Sequence, residues 1–188
     1  MNKLRQIFWS ILVVLVLGIL ASCESSNPFD RGPVYDFEGN LKQDSVKIAE
    51  FLETAEYDSL YRIHDETGVV VIVQEEGNAS RPTGGNVVYL DYVGKLLDGT
   101  VFDTNIEAVA KENDLHEEGD EYRPFQFVVD SQTTGAAIRG FSIGIKKLRS
   151  GAKGVIIVPS PYAYQDSERG LIPANSVLVF EIDFLGMD

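Results

Sequence analysis

From Gly68 onward the apolar residues repeat as strands do, and they break that habit once. Gly68–Gly77 (GVVVIVQEEG), Asn86–Leu97, Thr100–Asp103, Phe125–Asp130, Gly154–Pro159 and Ser176–Leu185 are rich in β-branched and aromatic residues and separated by turn formers. Asp98-Gly99 supplies the turn between the second and third of these runs. The exception is Ala136–Leu148, where Ile138, Phe141, Ile145 and Leu148 fall on one face at helical spacing. Strands, one helix and then more strands predict an α+β fold, an antiparallel twisted β-sheet wrapped around one short α-helix.

Upstream the pattern differs. Val46, Ile48, Ala49, Phe51 and Leu52 recur at helical spacing and predict a helix from about Gln43 to Ala55, with Asp44 or Ser45 as its N-cap. Residues 43–67 therefore read as a helical extension whose apolar face is buried on the following domain or on a second copy of the chain. Tyr57, Leu60, Tyr61 and Ile63 carry no clear assignment. Residues 23–42, which include ESSNPFDRGPVYDFEGN, hold turn formers without periodicity and read as a flexible tether.

The first 22 residues read as an address. Lys3 and Arg5 precede an apolar run, Ile7–Leu20, of 14 residues, against about 20 needed to span a bilayer core. A basic start and a short apolar run describe a secretory signal peptide. The run ends Leu20-Ala21-Ser22-Cys23, which resembles the bacterial lipobox, and Cys23 is the chain's one cysteine. The expectation is cleavage before Cys23 and lipidation of its thiol, each buried methylene adding about 0.8 kcal/mol of membrane affinity. That places the chain in a bacterial envelope, on the outer membrane by preference, facing the periplasm or the exterior. A signal anchor with an incidental cysteine is the alternative. A single cysteine also excludes an intramolecular disulfide.

With a formal net charge of −13, the chain lacks the basic excess that a broad nucleic-acid surface requires. Hydrophobic residues at 44% suffice for a packed core, so the whole chain is not disordered. His116 stands among acidic residues without ligand spacing, and no metal site is expected.

Three segments in order carry a family resemblance: VVYLDYVGKLLDGTVFDTN at 87–105, PFQFVVDSQTTGAAIRGFSIGIKKLRSGAKGVIIVPSPYAY at 124–164, and GLIPANSVLVFEIDFLGM at 170–187. They resemble the FKBP-type peptidyl-prolyl isomerases in a strand bearing Tyr-x-Gly, a Leu-x-Asp-Gly turn and Phe-Asp. The Pro-Phe-x-Phe strand, the Ile-x-Gly-aromatic helix, the Pro-x-x-Tyr-Ala-Tyr segment and the Ile-Pro-x-Asn ending match as well. The likeness covers residues 68–188. It implies catalytic roles for Tyr92, Phe102, Asp103, Tyr164 and Phe180, and substrate binding by Phe125, Ala137, Ile138, Phe141, Leu171 and Ile172. Phe141 would form the floor under a proline ring, with Phe125, Phe180 and Tyr92 as walls. The Ile138 N–H and the Tyr164 hydroxyl would hold substrate carbonyls, and Asp103 would orient a polar group at the edge.

That residue set suits the reaction. Amide rotation faces a barrier of about 18–20 kcal/mol from C–N double-bond character, and no bond need break. No nucleophile, metal or cofactor is therefore required. The expected substrates are proline-containing exported polypeptides; a non-catalytic binding module or chaperone on the same pocket is the alternative.

The sequence departs from the family's pattern in three places. Phe141 stands where a tryptophan is commonest in the family. Thr104–Arg123 is longer than the family's loop and carries seven acids against Lys111 and Arg123; its IEAVAKEND could form one or two helical turns, as solvated insertion or as lid. Gln165–Gly170 lacks the glycine that usually follows Tyr-Ala-Tyr.

Overall fold

A computed structural model describes residues 34–78, 80–133 and 137–188. The signal segment 1–22, Cys23 and the tether as far as residue 33 lie outside them, as does Ala136. Among the described residues no helix is long and apolar enough to cross a membrane.

Helix α1 runs Phe37–Thr54 and is followed by strands β1 (Tyr61–His64), β2 (Val70–Glu75), β3 (Val87–Leu96) and β4 (Val101–Thr104). Helix α2 (Glu107–Glu112), β5 (Phe125–Val128), α3 (Arg139–Ile145), β6 (Lys153–Val158), a 3-10 turn (Ser160–Tyr162) and β7 (Leu178–Met187) complete the order. The seven strands form one sheet in the order β1-β2-β6-β7-β3-β4, with β5 also on β3, and every pairing is antiparallel. This is the α+β sheet-on-helix fold expected. The unassigned Tyr61–His64 segment is one of its edge strands.

Helix α1 begins six residues before the expected Gln43, so residues 37–42 are helix and not tether. The Asp36 carboxylate caps it by accepting from the Gly39 N–H at 2.9 Å. Asp44 and Ser45, the two expected caps, both lie mid-helix, and Asp44 is fully buried. An acid in the middle of an apolar stripe reads as a helix start only while its buried partner, Ser160, is unknown.

The run VVVIV is explained by burial on both faces, which removes the polar alternation of a half-exposed strand. Val69, Val71 and Val73 point inward with Phe141, Ile145, Leu148 and Ile156. Val70 and Ile72 point outward, where Ile48, Phe51 and Leu52 of α1 cover them with Val155, Ile157, Val177 and Val179. The apolar face of α1 is thus spent on its own domain. Helix α3 is shorter than the 136–148 pattern, and Gly140 lets it lie close: a Cβ there would collide with Val158 of β6.

Strand β3 organises the site end of the sheet. One of its edges pairs along its length with β7, while the other is shared, residues 87–90 with β5 and residues 93–95 with β4. The segment between β4 and β5 must leave and return at that break.

Candidate functional site

Six aromatic rings meet where β3, β4, β5, β7 and α3 converge. Phe141, on α3, touches four of them: Phe180 at 4.9 Å between centroids, Phe127 at 5.5 Å, Phe125 at 6.3 Å and Tyr92 at 6.4 Å. Phe102 meets Phe180 edge-on at 5.8 Å, and Tyr92 meets Phe125 edge-on at 5.5 Å. Edge-to-face pairs of this kind are worth about 0.5–1.5 kcal/mol each beyond area burial. The glycine of Tyr-x-Gly has its reason here. A Cβ on Gly94 would sit 2.7 Å from the Phe102 ring and 3.3 Å from that of Phe180.

Phe141, Phe180 and Ile172 are buried. Tyr92, Phe102, Phe125, Ala137, Ile138 and Tyr164 pack on the same cluster while keeping part of their surface exposed. Leu171 is not brought into it; its side chain is exposed. Asp103 is also exposed but is tied to the rings, because the Tyr92 hydroxyl donates to its Oδ2 at 2.6 Å. Ile138 caps α3 with extended backbone, and its carbonyl accepts from Phe141 and Ser142. No described residue accepts from its N–H.

Both phenols near the edge hold their protons firmly. Burial pushes the Tyr92 hydroxyl well above the usual tyrosine range, helped by its hydrogen bond to Asp103. Burial likewise raises Tyr164, and the nearby Asp103 carboxylate adds to it while Arg169, whose guanidinium lies 5.8 Å from the ring centroid, works the other way. At neutral pH each is a hydrogen-bond donor.

Two contributors escaped the sequence reading. Phe127 stacks on Phe125 at 5.6 Å and abuts Phe141; its spacing of two from Phe125 on a strand was the available signal. Asn105 fills the break on β3. It accepts from the Tyr92 N–H at 2.8 Å and donates to Asp91, Leu90 and the Arg123 carbonyl, while Thr104 donates to the Tyr92 carbonyl at 2.6 Å. These bonds fix the Tyr92 backbone and close the neck of the acidic insertion, which contains the short helix α2 as expected.

A cleft lined by Tyr92, Asn105 and Arg123–Val128 opens beside the rings. A larger one runs along α3 between Asp65–Thr67 and Asp130–Thr133, and its walls are polar. Ion pairs Lys147–Asp65 and Lys146–Asp130, both 2.7 Å, stand in it. An apolar ring would be seated by the aromatic cluster and not by this second cleft. No group of His, Cys, Asp and Glu able to hold a metal ion occurs among the described residues.

Comparison with known proteins agrees with this architecture. The family described as FKBP-type peptidyl-prolyl cis-trans isomerase matches residues 78–185. FK506-binding protein 1 of Saccharomyces cerevisiae is 35% identical over 108 residues, covering 57% of this chain and 81% of the relative. FK506-binding protein 1A of Aspergillus fumigatus is 31% identical over 125 residues, 64% of this chain and 96% of the relative. A solved peptidyl-prolyl cis-trans isomerase of Pseudomonas syringae pv. tomato superposes with a TM-score of 0.58 at 25% identity, covering 84% of this chain and 99% of that one. The chain spans about a quarter of the length of larger fungal relatives that it also matches. With more than half its length matched and the aromatic site in place, this chain belongs to the FKBP-type peptidyl-prolyl cis-trans isomerase family.

Proposed function

We propose that the chain accelerates cis–trans isomerisation of Xaa-Pro bonds in exported polypeptides, from a bacterial envelope membrane to which lipidated Cys23 tethers it. The observation that carries the isomerase reading is Phe141 within a ring of four aromatic neighbours, bordered by the hydroxyls of Tyr92 and Tyr164.

The planar amide owes its stiffness to a charge-separated resonance form. An apolar seat that strips water from the imide penalises that form more than the twisted one, so the barrier falls by differential binding. Phe141 would floor the seat, with Phe125, Phe180, Phe102 and Tyr92 around it. The Tyr164 hydroxyl and the Ile138 N–H are donors suited to substrate carbonyls, and Asp103 holds the Tyr92 hydroxyl in place. Phenylalanine at 141 retains an apolar face while lacking an indole N–H, so the seat works by shape and dryness and donates nothing from its floor. Uncatalysed Xaa-Pro isomerisation takes tens to hundreds of seconds, a range in which modest acceleration matters to folding.

A protease-coupled assay on a short Xaa-Pro peptide tests the activity. Acceleration that disappears in Phe141→Ala supports it. Silence of the folded protein there and in a proline-limited refolding assay leaves a proline-binding module in its place. The anchor reading rests on Lys3, Arg5, the apolar run and Leu20-Ala21-Ser22-Cys23. Palmitate labelling and membrane fractionation of wild type and Cys23→Ser test it: equal labelling of both would defeat lipidation at Cys23, and fractionation away from the outer membrane would defeat that placement.

A further inference from the structure

The segment after β6 carries Tyr164 and begins with a 3-10 turn. The first residue of that turn, Ser160, is fully buried, and so is Asp44 of α1. The Ser160 N–H donates to Asp44 Oδ2 at 2.8 Å and the Ser160 hydroxyl donates to the same oxygen at 2.6 Å. Lys47 donates to Oδ1 at 2.8 Å. A carboxylate out of water is tolerated when its lone pairs are filled by such donors, and it makes them hard to move. Asp44 thereby caps a 3-10 turn that belongs to another element, supplying the acceptor that the first N–H of a turn lacks.

Ser160 relays the hold to the site. Its carbonyl accepts from the N–H of Ala163 and from that of Gln165, both at 3.0 Å, so the residues on either side of Tyr164 hang from one atom. Gln165 adopts a left-handed conformation with φ of 57°, which a non-glycine residue keeps only where neighbours enforce it. A second contact from α1 reaches the same turn: Phe37 meets the Tyr162 ring edge-on at 5.4 Å.

We infer that α1, through Asp44, is a positioning element for the isomerase site, holding the Ser160–Gln165 segment so that the Tyr164 hydroxyl stays at the rim of the aromatic seat. Asp44 lies outside the matched residues 78–185, so this control is added to the family's domain by the N-terminal extension. The inference rests on the isomerase reading for its kinetic consequence and on geometry alone for the bracing.

The test is a double-mutant cycle in the full chain, with Asp44→Asn, Tyr164→Phe and their combination. In Asp44→Asn, kcat/KM on an Xaa-Pro peptide falls by about tenfold, and in the Tyr164→Phe background the same substitution costs nothing further. Amide exchange at Ala163 and Gln165 accelerates at least about tenfold, while Ile157 and Val179 on the covered sheet face are unchanged. Additive losses, or exchange that rises equally at all four amides, would reduce Asp44 to a general stabiliser and overturn the inference. Should Asp44→Asn fail to fold, Ser160→Ala, which keeps the N–H and removes the hydroxyl's bonds to Asp44 and Tyr35, is read in the same way. A wild-type chain without turnover would sink the isomerase reading instead, and amide exchange then decides the bracing by itself.

Discussion

Strands β2, β6 and β7 present two faces, and the two are filled in different ways. The outer face is aliphatic: Val70, Ile72, Val155, Ile157, Val177 and Val179 lie under Ile48, Phe51 and Leu52 of α1. The inner face starts the same way, with Val71, Val73 and Ile156 under α3, but toward β3 it becomes aromatic and stops being closed. There Tyr92, Phe102, Phe125 and Tyr164 retain exposed surface around the buried Phe141 and Phe180. A face that only needs to exclude water can be finished with branched aliphatics. Half-exposed rings with two proton-holding phenols beside them are costly to leave unfinished, and they mark the face that receives something.

That comparison breaks most easily at Ile72, which is fully buried on the outer face. Ile72→Ala is expected to lower unfolding stability by about 3 kcal/mol, read by denaturant titration. Turnover per folded molecule should stay at the wild-type level. A turnover loss larger than the loss of folded protein would show that the outer face is not merely cover.

Phe141→Leu probes the other face at a smaller cost in stability. A roughly volume-conserving apolar swap costs about 1.5 kcal/mol or less, yet it removes four ring contacts and the flat floor. Activity should fall by about tenfold or more, measured as kcat/KM on an Xaa-Pro peptide. If stability fell and activity held, the rings would be core and the aromatic face would lose its meaning as a site.

The two faces were also legible to different degrees in the sequence. Strand positions followed from β-branched runs because local pattern and tertiary pairing agree there; Val87–Leu96 and Leu178–Met187 lie within or close to the runs that announce them. Most residues of the ring cluster could be named because ordered motifs such as Tyr-x-Gly and Pro-x-x-Tyr-Ala-Tyr bring a whole family's geometry with them. Leu171 was included by the same route, and the structure leaves it exposed outside the ring cluster. What stayed hidden was whatever depends on partners distant in the chain. Asp44 finds its acceptor role 116 residues away, and Asn105 matters because β4 and β5 share one edge of β3. The run VVVIV reads only as a strand; of the two places offered for the apolar face of the N-terminal helix, the structure fills the one on its own domain, over Val70 and Ile72.

Tyr92→Phe sharpens the boundary between wall and donor within the aromatic face. It keeps the ring and deletes the hydroxyl that donates to Asp103. Stability should drop by about 1 kcal/mol, since the exposed Asp103 can turn to water. A kcat/KM reduced by several-fold would make the Tyr92–Asp103 pair part of the rim, whereas no change would leave Tyr92 a wall alone.

The smallest expected effect concerns how the inner cover is fastened. Lys147, just beyond α3, pairs with Asp65 in the turn between β1 and β2. The Lys147 ammonium and the Thr67 hydroxyl hold that carboxyl down at about 2. Because the folded carboxyl titrates below the unfolded one, the unfolded chain binds the proton first as pH falls. The pair's contribution is therefore complete above about pH 5 and is lost progressively toward pH 2. Solvent screening limits it to about 1 kcal/mol or less. Urea midpoints of wild type and Asp65→Asn should differ at pH 6 and converge as the solution is acidified below pH 3. A constant gap across that range would mean that Asp65 acts through its turn hydrogen bonds to Thr67 and not through Lys147. In that case α3 is fastened to the sheet by its packing and by the Lys146–Asp130 pair, with nothing added by Lys147.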